Sequence, residues 1–149
     1  IYLLGLVAHW LRDDVGGLDK MLERNRAKAA LLYELLDAHP DFYRGHAEAD
    51  SRSLMNVTFQ FADAAIEKAF LAEAPRHGLG NLKGHRSVGG MRASIYNAFP
   101  EAGIAAFVEF LKKFERVTSG FAPTVTVAQF WIERHLHFNI DENVFVCVY

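Results

Sequence analysis

Met55-Asn56-Val57-Thr58-Phe59-Gln60-Phe61 alternates apolar and polar side chains with a period of two. That is the pattern of a strand with one buried face. The segments on either side follow the helical period instead. Upstream, Leu18, Met21, Leu22, Ala29, Leu32 and Leu36 recur at three- and four-residue spacings, which predicts a long helix from Leu18 to Ala38 with one apolar stripe. Lys20, Glu23, Arg24 and Lys28 lie largely off that stripe. His39-Pro40 ends the helix, because the residue before proline is pushed out of helical geometry. Downstream, Asp63 is the expected N-cap of a helix running to about His77, with Ile66, Ala69, Phe70 and Ala74 toward the core and Gly78 as its C-cap.

Further out, residues 41–53 are polar and read as loop, with a short extended piece at Phe42-Tyr43-Arg44. Met91, Ala93 and Ile95 face one side of a second strand, and Arg92, Ser94 and Tyr96 the other. Phe99-Pro100 opens a last helix to about Val117, buried along Ile104, Phe107, Val108, Leu111 and Phe114. Lys112, Lys113 and Arg116 suit the negative end of that helix. Ile1 to Leu11 reads as a helix apolar nearly all round, which expects protein on most sides. Asp13 to Gly17 is read as a break. The order helix, helix, strand, helix, strand, helix closes most easily as a two-layer α+β domain, with helices on one face of a small, mostly antiparallel sheet. Residues 1–117 form this domain and 118–149 a tail. The tail holds a linker-like Thr-Ser-Gly-Phe-Ala-Pro, strand-prone Thr124 to Val127 and Val144 to Tyr149, and an ambiguous stretch between them.

The chain has 149 residues, 51% of them hydrophobic, which is globular and excludes a disordered or low-complexity protein. Sixteen basic against eighteen acidic residues give a net charge of -2, so no basic field exists to attract nucleic acid. The apolar run at the start falls short of the roughly 20 residues that span a bilayer. It also lacks the basic flank and cleavage site of a signal peptide. Neither a membrane nor a nucleic acid is an expected partner. The single cysteine, Cys147, excludes an internal disulfide framework and fits a reducing compartment, with the cytoplasm the expected location. The start Ile-Tyr-Leu-Leu, without Met or a capping residue, suggests that upstream sequence has been removed.

Glycines 84, 89 and 90 crowd one segment, and His85, Arg86 and Arg92 lie among or just after them. Glycine lets a ligand approach the main chain, and arginine grips a carboxylate or phosphate with two parallel hydrogen bonds. The segment therefore reads as an anion site. It is not a P-loop, because no Gly-Lys-Ser/Thr closes it. The competing reading is a glycine-rich turn whose arginines make ordinary salt bridges. In the tail, His135-x-His137 would point one way on a strand, but no third ligand has metal-site spacing, so no metal is expected. His9, His39, His46 and His77 stand alone and read as surface or capping residues. Most of the six lysines lie on charged helix faces and are expected in solvent; only Lys83 adjoins the glycine segment.

Gly84-His85-Arg86-Ser87-Val88-Gly89-Gly90-Met91-Arg92-Ala93-Ser94-Ile95-Tyr96-Asn97-Ala98 closely resembles the C-terminal signature of the phosphoserine aminotransferase family. Ile1 to Val7, Lys28 to Tyr33 and Arg52 to Gln60 resemble, in order, the helix leading into that family's small domain, its long helix and a strand of its small sheet. The resemblance covers residues 1 to about 117. It implies the C-terminal small domain of a class V, fold-type I aminotransferase, a pyridoxal-phosphate-dependent homodimer. Such enzymes move an amino group from glutamate to 3-phosphohydroxypyruvate, yielding 3-phosphoserine and 2-oxoglutarate for serine biosynthesis. Many also handle a phosphorylated hydroxythreonine on the way to vitamin B6. By the same resemblance Arg92 matches the residue that holds the substrate α-carboxylate, and His85 and Arg86 match residues at its phosphate end. The family's cofactor-linked lysine has no match among the six lysines, and the cofactor pocket is missing with it, so no catalytic or cofactor-binding residue is expected here. Two readings follow: part of an aminotransferase that supplies substrate-anion residues, or a catalytically inert fragment or small anion-binding or dimerisation module.

Overall fold

The computed structural model describes residues 1–119. The expected tail strands and the His135-x-His137 pair lie outside the described residues. Seven principal elements follow one another: α1 (Tyr2–Trp10), α2 (Leu18–Ala38), β1 (Tyr43–Gly45), β2 (Asn56–Phe61), α3 (Ala64–Glu73), β3 (Met91–Ser94) and α4 (Glu101–Ser119). The three strands form an antiparallel sheet in the order β1-β2-β3. Tyr43 pairs with Phe61, Phe59 with Met91, and Val57 with Ala93. All six of these side chains are buried, so the period of two in β2 sets one apolar face for the whole sheet. The two-layer α+β arrangement is the one expected.

Helices α2, α3 and α4 close over that face. Phe61 meets Phe70 of α3 at 4.9 Å between ring centroids and Phe114 of α4 at 5.8 Å, and Phe70 meets Phe114 edge-on at 5.2 Å. Such offset and edge-to-face rings contribute beyond their buried area. The Tyr43 hydroxyl donates to the Leu111 carbonyl at 3.0 Å, and burial pushes its phenol up out of the ordinary range. Ile104, Phe107, Val108, Leu111 and Phe114 are buried as the helical period required, with Phe110 beside them. Asp63 caps α3 by accepting from the Ala65 amide at 2.7 Å. Pro75 sits in the first positions of the tight turn Ala74–His77, and Gly78 ends it in the left-handed region. The Arg52 guanidinium pairs with Asp37 at 2.6 and 2.7 Å and lies over the Tyr33 ring, which ties the loop before β2 to α2.

Three expectations need correcting. The break expected at Asp13 begins later, because a π-helical turn carries the chain through Val15 before Gly16 and Gly17 take positive φ. Leu18 and Leu22 are exposed, and the buried row of α2 is Met21, Asn25, Lys28, Ala29, Leu32, Leu35 and Leu36. Lys28, read as a solvated face residue, is only 1% exposed. Its ammonium is satisfied by backbone carbonyls of the turn after β3, a set of acceptors that only tertiary packing assembles.

No residue of α1 is buried, and Tyr2, Leu3 and Leu4 are each more than 70% exposed. Each such side chain forgoes roughly 1.5–3 kcal/mol of burial. The 149-residue chain on its own is therefore expected to self-associate through α1 or to cover that helix with its tail. Sedimentation at rising concentration reads this, and Leu3→Asp with Leu4→Asp should return the chain toward monomer. A clean wild-type monomer with rapidly exchanging α1 amides would contradict it.

Candidate functional site

The sheet face opposite the helices is polar. Asn56, Thr58 and Gln60 lie on it, half-buried, and β3 adds Arg92 and Ser94. The register sets Arg92 across from Thr58 and Ser94 across from Asn56. Ser94 is buried and donates from its hydroxyl to Asn56 Oδ1 at 3.0 Å. Arg92 Nε is buried and has no hydrogen-bond partner among the described residues. No carboxylate among the described residues pairs with Arg92 or Arg86. A buried guanidinium N–H without an acceptor is costly, and its usual explanation in a native protein is an acceptor brought by a ligand, a water or another segment.

Residues 82–92 fold back as a hairpin beside β2. The Arg92 amide donates to the Leu82 carbonyl at 2.8 Å, Lys83 pairs with Met91, and the Gly84 amide donates to the Gly90 carbonyl at 2.7 Å. The tip turns tightly, since the amides of Val88 and Gly89 both donate to the His85 carbonyl. His85 and Arg86 are exposed at that tip, and Arg92 lies in its returning arm. One hairpin therefore carries all three candidate residues, with no hydrogen bond joining them.

The glycines have steric reasons. A methyl group added at Gly84 would collide with the Gly89 carbonyl oxygen. One added at Gly90, where φ is +65°, would sit 2.6 Å from the Phe59 carbonyl oxygen. Bare backbone here lets the hairpin lie flat against β2.

The ring of His85 is oriented locally. Its Nδ1 lies 2.7 Å from Ser87 Oγ and 3.3 Å from the Ser87 amide nitrogen. The amide can only donate, so Nδ1 is the acceptor and the proton of the neutral ring belongs on Nε2. An exposed ring N–H and an exposed guanidinium on the same turn are both donors that an anion can use. Sequence reasoning did not bring Thr58 or His46 into this neighbourhood. Thr58 arrives by strand register and His46 by its closeness to Gly90, and neither leaves a local sequence signal.

The class-V aminotransferase model matches residues 1–107. The chain belongs to the class-V aminotransferase family. It is 60% identical over 116 residues to the phosphoserine aminotransferase of Desulfosudis oleivorans, covering 78% of this chain and 32% of that protein. It is 55% identical over 114 residues to that of Rhodopirellula baltica, covering 76% and 30%. Among solved structures it is similar to phosphoserine aminotransferase from Bacillus circulans subsp. alkalophilus, with a TM-score of 0.70, 46% identity, and 72% and 30% of the two chains covered. It is also similar to the enzyme of Trichomonas vaginalis described as PLP bound, with a TM-score of 0.62 and 34% identity over 68% of this chain and 29% of that one. The chain spans about a third of the length of the curated relatives it matches.

Membership of this family implies pyridoxal phosphate, and the buried lysine among the described residues does not fit its covalent attachment. Covalent attachment needs a lysine whose amine is available. Lys28, the one buried lysine, is committed to backbone carbonyls. Lys20 and Lys112 are exposed and paired with Glu23 and Glu109, Lys68 and Lys83 are exposed, and Lys113 is half-buried.

Gly84→Ala is expected to cost about 1–3 kcal/mol, as overpacking does. Gly80→Ala, which meets open space, should stay within about 0.5 kcal/mol. Denaturant midpoints of the two variants check this, and equal midpoints would show that the hairpin closes without the bare position.

Proposed function

We propose that this chain is the C-terminal part of a phosphoserine aminotransferase and supplies the residues that hold its substrates' anionic groups. The reaction moves the amino group of glutamate to the keto carbon of 3-phosphohydroxypyruvate, leaving 2-oxoglutarate and 3-phosphoserine for serine biosynthesis. The phosphorylated hydroxythreonine of the vitamin B6 route is a second substrate of the same chemical class. Arg92 holds the α-carboxylate, and His85 with Arg86 meets the phosphate. The observation that carries the assignment is the buried Arg92 Nε without an acceptor, in the arm of the hairpin whose tip exposes His85 and Arg86. Fixed donors orient a multiply charged substrate without reorganising at the moment of reaction. Pyridoxal phosphate, bound by the rest of a cytoplasmic homodimer, supplies the amino-transfer chemistry.

A second reading concerns the 149 residues alone. By the family resemblance none of the six lysines matches the cofactor-linked one, which favours an inert fragment or an anion-binding or dimerisation module when the chain stands by itself. The purified chain is expected to form no phosphoserine, and phosphoserine formed by chain free of host enzyme would overturn that view.

A chimaera tests the first reading. Residues 1–119 would replace the matching third of the Desulfosudis oleivorans relative. The chimaera should make phosphoserine from glutamate and 3-phosphohydroxypyruvate. Arg92→Lys keeps the charge and loses the two-pronged geometry. Loss of one charge-assisted bond, about 1.5–3 kcal/mol, should lower kcat/KM roughly 10- to 100-fold for both substrates with little change in Tm. Unchanged constants would remove Arg92 from the site.

A further inference from the structure

Lys28 lies on α2, on the helical side of the sheet, yet its contacts run to the chain segment that follows Arg92. Its Nζ lies 3.2 Å from the Ile95 carbonyl oxygen, 2.7 Å from that of Tyr96, 3.3 Å from that of Asn97 and 3.2 Å from that of Phe99. An ammonium has three N–H donors, so at least one is shared among these four acceptors. One helical turn earlier, Asn25 Nδ2 donates to Asn97 Oδ1 at 2.8 Å. No carboxylate among the described residues pairs with Lys28; Glu101 acts on it only at a distance. A cation in a cage of carbonyl dipoles fixes the path of the backbone that supplies those carbonyls.

That path matters because β3 has only four residues. Its leading end is clamped by the hairpin, where Gly90 packs on β2. Its trailing end is held by the Ile95 amide on the Met55 carbonyl at 2.8 Å and by the Lys28 cage. A slip of one residue would turn Arg92 from the polar face into the core.

We infer that Lys28 is a positioning residue for Arg92: its ammonium clamps the turn at 95–99 and so locks β3 in the register that presents the guanidinium on the polar face. The inference rests on the proposed carboxylate role of Arg92. It also makes a claim about the backbone that does not need that role.

The test uses the full 149-residue chain. Lys28→Met removes the charge at similar length, and Lys28→Arg keeps the charge but replaces a compact ammonium with a planar fork. Two signals are followed by NMR: amide exchange at Ile95, Phe99 and Ala62, and the Arg92 Nε–Hε resonance during titration with glutamate. Inorganic phosphate is titrated separately against the His85 ring. Lys28→Met should speed exchange at Ile95 and Phe99 by about tenfold or more relative to Ala62, which is held by the Phe42 carbonyl. It should weaken the glutamate response of Arg92 by about tenfold and leave the phosphate response of His85 unchanged. Uniform acceleration of all three amides, or an unchanged Arg92 response in a folded variant, overturns the inference. If wild-type Arg92 gives no glutamate response, the carboxylate reading has failed, and selective against uniform exchange alone decides whether Lys28 holds the strand. If Lys28→Met does not fold, Lys28→Arg is judged by the same two criteria.

Discussion

Side chains on β2 point alternately to opposite faces, so Val57, Phe59 and Phe61 enter the core only if Asn56, Thr58 and Gln60 leave it. That single constraint organises the rest. Pairing transmits it to β1, where Tyr43 follows Phe61 inward, and to β3, where Met91 follows Phe59 and Arg92 follows Thr58 outward. The aromatic cluster under α3 and α4 and the unpartnered Arg92 Nε on the other face are two results of one register. Stability and the candidate site are coupled, because the same slip that would empty the core would bury Arg92.

A short strand does not hold such a register by its ladder alone. Its two ends are secured by different physics. At the leading end the device is steric: Gly84 and Gly90 leave no room for a side chain, and the hairpin arms close on each other and on β2. At the trailing end it is electrostatic. Burial pushes the Lys28 amine below its ordinary range, and Glu101 opposes that shift. The converging carbonyls replace much of the water that the ammonium has lost. An apolar residue in that place would leave the carbonyls short of donors, so the clamp depends on the charge as well as on the length of the side chain.

Much of this was legible in the sequence, for reasons that differ by element. β2 and α4 were readable because their periods are clean and their buried faces are apolar throughout. The start of α3 was readable because Asp63 is a capping side chain just before an apolar stripe. Lys28 was not. A lysine in a helix reads as solvated unless its acceptors are known, and these lie 67 to 71 residues away. Leu18 and Leu22 misled for the opposite reason, since apolar spacing says which residues share a face but not where along the helix that face is covered. For the site, the glycine and arginine composition left an anion-binding segment and an ordinary glycine-rich turn as competing readings, and the family resemblance supplied the two expected anions. The hairpin that brings His85, Arg86 and Arg92 onto one element, and the lack of an acceptor for Arg92 Nε, exist only in three dimensions.

The chain spans about a third of the length of the curated relatives it matches, and the described fold leaves α1 uncovered. A helix with no buried residue, ending beside an apolar groove of about 530 Å³ lined by Leu6, Val7, Trp10, Met55 and the 96–98 turn, leaves a cost that the described fold does not recover by itself. That groove lies against the turn clamped by Lys28.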